Sequence, residues 1–378
     1  MADVRFGDIN DIEEEIPQFS GNKNRGRQAI SQPTPIISRP EYGTNLNKED
    51  GVYRLKKTLY GLKQAPRAWY EEINSYFTKA GFQRSLSEAT LYVKIAKSGI
   101  LIVSLYMDDI IYTESSQELM MEFKTKMMRR YEMTDLGLLH HLLGLGVIQT
   151  DTCIFLHQKK STKTLLDKFD LKDCKSVATP LAVNEKLSKT DGSEQVDESL
   201  YRQIVGSLLY LTATKPNIMF AASLLARFMH GPTIKHMGTT KRVLRYIQDT
   251  LDYGIAYEKG KEAMLIGYCD SDWSGSDDDM KSMSGYAFNL GSGVFSWASV
   301  KQSSVALSTA EAKYVSVAKA TAQAIWLRFV LLDFGEEQVN ATPILCDNTS
   351  ATAITKNHVH HYKTRHINKR FHFIQDAL

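Results

Sequence analysis

With 378 residues, 43% of them hydrophobic and 24% charged, the chain has the composition of an ordinary globular protein, which excludes disorder throughout and leaves room for two or three domains with real cores. The formal net charge of +3 is too small to mark a nucleic-acid binder, so any basic surface must come from local clusters. Three such clusters are present: Arg54, Lys56, Lys57, Lys63 and Arg67; Lys124, Lys126, Arg129 and Arg130; and Lys363, Arg365, Lys369 and Arg370. Cys153, Cys174, Cys269 and Cys346 lie far apart without CxxC spacing, which argues against a disulfide scaffold or a cysteine-rich zinc module. The acidic N-terminus lacks the apolar stretch of a signal peptide, and no uncharged apolar segment of membrane-spanning length is read. The expectation is an intracellular protein, cytoplasmic or nuclear, with no membrane partner.

In chain order, residues 1–50 combine acidic and basic patches with Pro33, Pro35 and Pro40 and read as a flexible arm. Pro66 suits the first turn of a helix over 65–80, and Gly81 suits its end. Strands follow at 90–96 and 100–106, then a helix over 115–131 whose basic side is either a solvated face or a phosphate-tracking one. Residues 135–160 read as a hairpin region with a turn at 150–152, a short helix covers 161–169, and the polar stretch 183–197 reads as a linker. Three helical stripes fill 198–250, carried by Tyr201, Ile204, Val205 and Leu208, by Met219 to Met229, and by Val243, Leu244 and Ile247; all three read as core. From residue 263 the pattern becomes strand, strand, strand, long helix (309–334), strand, helix, helix, an α/β unit with a mixed sheet.

Two carboxylate constellations interrupt this pattern. Asp108 and Asp109 break an apolar, β-branched run over 101–113 at the tip of a hairpin, where neither Gly nor Asn supplies a positive φ. The pair is either a solvated acidic turn or a divalent-metal site. Asp270 and Asp347 each follow a strand, and Glu311 lies in the first turn of the long helix, so the expectation is that the three converge at one edge of the sheet. Each also has a plainer use: Asp270 as a turn residue, Glu311 closing a capping box with Ser308, and Asp347 capping the next helix. Three acids suit phosphodiester chemistry, because hard ions such as Mg²⁺ take carboxylate oxygen, activate water and neutralise a leaving oxygen.

The motifs together resemble the Pol polyprotein of copia-type LTR retrotransposons over roughly residues 50–376. Arg54-Leu-Lys-Lys-Thr-Leu-Tyr-Gly-Leu-Lys-Gln-Ala-Pro-Arg-Ala-Trp-Tyr70 is similar to the reverse-transcriptase segment that lies against template and nucleotide, and Tyr106-Met-Asp-Asp109 to the polymerase hairpin. Met133-Thr-Asp-Leu-Gly137, Thr179-Pro180, Tyr201-Arg202 and Arg242-Val-Leu-Arg-Tyr246 resemble the thumb and connection region. Cys269-Asp-Ser-Asp-Trp273, Ser284-Gly-Tyr286, Ser308-Thr-Ala-Glu311 and Cys346-Asp-Asn348 resemble the family's RNase H domain.

The resemblance implies an α/β (α+β) chain: a flexible arm (1–50), a partial reverse-transcriptase palm and thumb (51–182), a linker and helical connection (183–262), and an RNase H-like domain (263–378). It implies Mg²⁺ or Mn²⁺ held by Asp108 and Asp109 and by Asp270, Glu311 and Asp347. It also implies nucleic-acid contacts at Lys57, Gln64, Arg67 and Trp69, with RNA/DNA hybrid or primer-template as partner. The Phe-Leu-Asn-Gly-type stretch that carries a third polymerase carboxylate is not found in residues 1–50, and Leu378 precedes the Ala-Asp motif that completes the nuclease cluster. Asn217 and Asn368 stand where the family usually has Asp. The expectation is therefore a chain truncated at both ends, inactive for synthesis, with RNase H-like hydrolysis as its remaining chemistry; a non-catalytic nucleic-acid binder or a relic is the alternative. His358, His360, His361, His366 and His372 lack the nearby cysteines or helical HxxxH face of a zinc site.

Overall fold

Local signals set the helix and strand boundaries in a computed structural model of the chain, which describes residues 28–31, 63, 65–183, 185–356, 371, 373 and 374. These residues form two compact units, one running up to Leu139 with Val330–Gly335, the other His140–Phe329 with residues from Glu336 onward. The division falls near 139, where no change of composition marks it.

The first unit is an antiparallel sheet with helices packed on it. Its strands are β1 (Gln28–Ser31), β2 (Gln83–Arg84), β3 (Leu91–Ala96), β4 (Gly99–Tyr106), β5 (Asp109–Glu114) and β6 (Thr134–Leu138), in spatial order β2-β3-β4-β5-β1-β6. Helix α1 (Ala65–Lys79) starts with Pro66 in its first turn and stops before Gly81, whose φ of +83° only glycine adopts freely. It buries Ile73 and Phe77, and α2 (Gln117–Arg130) buries Met120, Phe123 and Met127, all in one cluster with Tyr92, Val103, Ile110 and Tyr112 from the sheet. Phe77 is the hub, its ring 4.9 Å from Tyr92, 5.1 Å from Phe82 and 6.2 Å from Phe123.

The arm reading of residues 1–50 fails at Gln28–Ser31, which are hydrogen-bonded as β1 between β5 and β6. Four residues carry too short a pattern to register as a strand; the two flanking ladders supply their order.

In the second unit, β7 (His141–Leu142), β8 (Leu145–Gln149) and β9 (Cys153–His157) lead to α3 (Lys159–Lys168). Helices α4 (Glu198–Leu211), α5 (Met219–Ala226) and α6 (Ile234–Asp249) bury the three expected stripes in one core. Strand β10 (Gly254–Glu258), which lies in the stretch read as linker and helical connection, pairs with β9 to complete the sheet β10-β9-β8-β7. The stretch 183–197 is fastened rather than free: Leu187 is buried, Ser188 Oγ donates to Asp278 at 2.7 Å, and Thr233 Oγ1 donates to Asp191 at 2.7 Å.

The C-terminal sheet has β11 (Leu265–Ser271), β12 (Met283–Leu290), β13 (Gly293–Lys301) and β14 (Ile344–Cys346) in the order β13-β12-β11-β14. The β12–β13 hairpin turns at Gly291 (φ +61°). Strand β14 lies parallel to β11 after the long helix α7 (Thr309–Asp333), and α8 (Thr349–Lys356) follows. By length and composition α7 is apolar enough to cross a membrane, a test that core helices also pass; here it buries Ala312, Tyr314, Val315, Ala318 and Leu327. The helix expected over 365–376 and the histidine-rich stretch lie almost wholly outside the described residues.

Candidate functional site

The hairpin turns through Met107 and Asp108, with Tyr106 paired to Asp109, the first residue of β5. Met107 takes φ +52° while Asp108 stays at negative φ, the φ pattern of a type II′ turn without its usual glycine. A methionine in this region costs on the order of 1 kcal/mol or more, so something must hold it. Trp69 does so, its indole Nε1 donating to Met107 O at 2.8 Å while its ring meets Tyr131 edge-on at 5.6 Å. Asp108 is exposed and Asp109 half-buried. Burial, then the Asp108 charge beside it, pushes the Asp109 carboxyl above the ordinary carboxylate range.

Trp69 is therefore an internal support of the hairpin. Arg67 is solvated and ion-paired with Glu71 at 2.9 Å. Lys57 and Gln64 lie outside the described residues. The α2 cluster is largely neutralised within the unit: Lys124 pairs with Asp135 at 2.7 Å, Arg130 with Glu72 at 2.9 Å, and Lys126 with Glu122. Several thumb-like motifs are likewise fasteners, with Arg242 Nη2 donating to Thr179 Oγ1 at 2.9 Å, Tyr201 Oη to Leu225 O at 2.9 Å and Asn217 Nδ2 to Tyr246 Oη at 2.7 Å.

A different basic concavity was not legible beforehand. A cavity of about 540 Å³ in the second unit is lined by Lys159, Lys160 and Lys168 of α3 with His141 and His157. The lysines are close in sequence, but the two histidines arrive from β7 and β9, which sequence spacing does not join.

The second carboxylate constellation is set by the parallel pairing of β11 and β14. Cys269 stands opposite Cys346, so the next residues, Asp270 and Asp347, emerge side by side at the carboxyl ends of neighbouring strands. Their sulfur neighbours sit beneath them, and burial raises the Cys269 thiol. Asp270 lies within β11 rather than in a turn. Asp347 is not the cap of α8: Asn348 Oδ1 accepts from Ala351 N at 2.8 Å, which leaves the Asp347 carboxylate to other use.

That use is Lys313. Its Nζ donates to Asp270 Oδ1 at 2.7 Å and to Asp347 Oδ1, joining both acids through one ammonium. Burial works against the Lys313 charge, but its hydrogen bonds to Asp270 and Asp347 outweigh it and raise the Lys313 pKa; the Lys313 bond lowers that of Asp347. Glu311 does not join them in a shared cluster. It is 7% exposed, and its Oε2 accepts from Leu307 N at 2.8 Å while Ser308 Oγ accepts from Glu311 N at 3.2 Å. This is the expected capping box with the carboxylate reaching one residue further back. Among the described residues no three His, Cys, Asp or Glu side chains are placed to hold a metal ion. The donor set thus does not fit the Mg²⁺ or Mn²⁺ that three carboxylates would share: a lysine ammonium stands in for the cation, and one acid is committed to a backbone amide. Lys313 is the site residue missed in the sequence, where its one signal is its place two residues after Glu311.

Strands β2 to β6 of the antiparallel sheet, with the Asp108–Asp109 hairpin, lie within the stretch that matches a reverse-transcriptase domain. Residues 32–183 match the reverse transcriptase (RNA-dependent DNA polymerase) family. The chain is 37% identical over 342 residues to the retrovirus-related Pol polyprotein from transposon RE2 of Arabidopsis thaliana, a match covering 90% of this chain and 24% of that protein. It is 38% identical over 351 residues to the corresponding polyprotein from transposon RE1, covering 92% of this chain and 23% of that protein. A protein ascribed to transposon Ty5-1 in Saccharomyces cerevisiae is 31% identical over 71% of this chain and 88% of its own length. The chain belongs to the Pol polyprotein family of copia-type retrotransposons, and it spans about a quarter of the length of the RE1 and RE2 polyproteins.

Proposed function

We propose that this Pol fragment binds nucleic acid, as RNA/DNA hybrid or primer-template in the cytoplasm or nucleus, and does not itself extend a primer. The observation that carries the reading is the neighbourhood of the palm hairpin. Strand β1 is hydrogen-bonded beside β5, and its sequence, Gln28-Ala29-Ile30-Ser31, brings no acid to Asp108 and Asp109. Among the described residues the hairpin thus has only its own two acids, and two acids of a single turn cage two divalent ions poorly, whereas nucleotidyl transfer uses two such ions. Lys160 and Lys168 beside the α3 cavity support the binding half, because phosphate backbones are held by ammonium groups, while Lys159 there is already paired with Asp252.

Hydrolysis of RNA in hybrids by an RNase H-like C-terminal unit is the second reading. It is favoured by the placement of Asp270 and Asp347 at adjacent parallel strand ends. For that reaction Mg²⁺ or Mn²⁺ is the cofactor to supply.

The test is one preparation assayed three ways: anisotropy of a labelled hybrid at low and high salt, primer extension, and hybrid cleavage with Mg²⁺. Binding that weakens steeply with salt, without extension, is the expected result. Primer extension by the purified chain, or salt-insensitive binding, overturns the proposal; Mg²⁺-dependent cleavage lost in Asp347→Asn supports the second reading.

A further inference from the structure

We propose that Lys313 is a built-in cation for the Asp270–Asp347 pair and keeps a divalent ion out of it. The inference rests on reading that pair as the cation-binding edge of the C-terminal sheet.

The parallel register of β11 and β14 brings the two carboxylates together, and two like charges so placed attract a cation. The cation is supplied from within the fold. Lys313 projects from the second turn of α7, its side chain 15% exposed, while the acids are 74% and 69% exposed and lean onto it from the solvent side. Both carboxylates therefore spend an oxygen on the same ammonium.

The helix that carries Lys313 is pinned at this point. Ser316 Oγ, one turn on, donates to Asp270 O at 2.6 Å and lies 3.1 Å from Gly285 O, and Gln302 Nε2 donates to Ala312 O at 2.8 Å. These bonds fix the backbone on both sides of Lys313, so the ammonium is delivered to the acids by the packing of α7 on β11 and β12. Glu311 cannot relieve the competition without giving up its bond to the Leu307 amide. A divalent ion entering between Asp270 and Asp347 would meet a positive charge already seated there, and displacing it would leave a lysine with little exposed surface in search of another partner.

The experiment is a titration of the full chain with Mn²⁺, following free Mn²⁺ by electron paramagnetic resonance, for the wild type, Lys313→Ala, Lys313→Gln and Lys313→Ala/Asp347→Asn. Removal of the lysine is expected to tighten binding of one Mn²⁺ by roughly tenfold or more, and Asp347→Asn to abolish the gain. Thermal unfolding of the two single variants is expected to shift upward with Mn²⁺ while that of the wild type does not. Wild-type binding as tight as that of the variants overturns the inference, as does a gain that survives Asp347→Asn. Should the lysine variants fail to fold, the wild type still decides: Mn²⁺ binding that Asp347→Asn removes from it overturns the inference, and its absence supports it. Hybrid cleavage separates this from the reading it rests on. A Lys313→Ala chain that binds Mn²⁺ and cleaves no hybrid upholds Lys313 as the internal cation and sinks the nuclease reading; a wild type that cleaves hybrid in Mg²⁺ does the reverse.

Discussion

Trp69 and Met107 are joined by a 2.8 Å hydrogen bond from the indole nitrogen to the backbone carbonyl, and through it α1 holds the tip of the Asp–Asp hairpin. Met107 sits at φ +52°, where a side chain is strained, so the bond secures a turn that its own residues do not favour. The Trp69→Phe variant keeps most of the ring packing and loses the bond. It is expected to lower stability by about 1 kcal/mol, read as a reduced urea midpoint at unchanged slope.

Asp109 is held above the ordinary carboxylate range by burial and by Asp108. A raised folded-state value means the native protein binds more protons than the unfolded chain, so this group costs stability as pH rises through and above 3.8. Asp109→Asn is expected to stabilise the protein at pH 7, by about 0.5 kcal/mol. The gain should vanish in denaturation series run below the unfolded carboxylate pKa.

Lys215 is buried, donates to Thr250 O and at 3.1 Å to Tyr253 O, and is pushed down to about 8 by desolvation against the attraction of Asp252. Its folded pKa lies below its unfolded value of 10.5, so between about 8 and 10.5 the unfolded chain binds the extra proton and stability rises with pH. Denaturant midpoints measured from pH 7.5 to 9.5 should show this rise in the wild type relative to Lys215→Met. Equal slopes would mean that the ammonium is not desolvated.

The α6 terminus joins two groups in one device. Thr233 caps the helix through a capping box with His236, whose Nδ1 accepts from Thr233 N at 3.0 Å and whose ring stacks on Phe228 at 4.0 Å. Thr233→Ala is expected to cost about 1 kcal/mol. Burial holds His236 below its usual 6.5, so the unfolded chain takes up the proton first and stability falls as pH drops below 6.5. His236→Gln should flatten that fall in thermal unfolding followed between pH 7.5 and 5.5.

Much of the architecture was legible because its signals are local. Pro66 and Gly81 bracket α1, Gly335 at φ +81° follows α7, and the apolar runs beside Asp108 and Asp109 form β4 and β5. The reading failed where partners are distant. Gln28–Ser31 gain their order from β5 and β6, residues 183–197 from Asp278 and Thr233, and β10 from β9, none of which a window of neighbouring residues can reveal.

The sequence by itself determined the lineage of this protein and the positions of its acids, since Tyr106-Met-Asp-Asp109 and the motifs around Asp270, Glu311 and Asp347 are contiguous strings that survive without their surroundings. Only the tertiary structure decided what those acids face. The β11–β14 register brings Asp270 to Asp347, the packing of α7 places the Lys313 ammonium between them, and Glu311 turns to the Leu307 amide. Electrostatic partnership depends on distances of a few ångströms across elements far apart in the chain, which residue spacing does not encode.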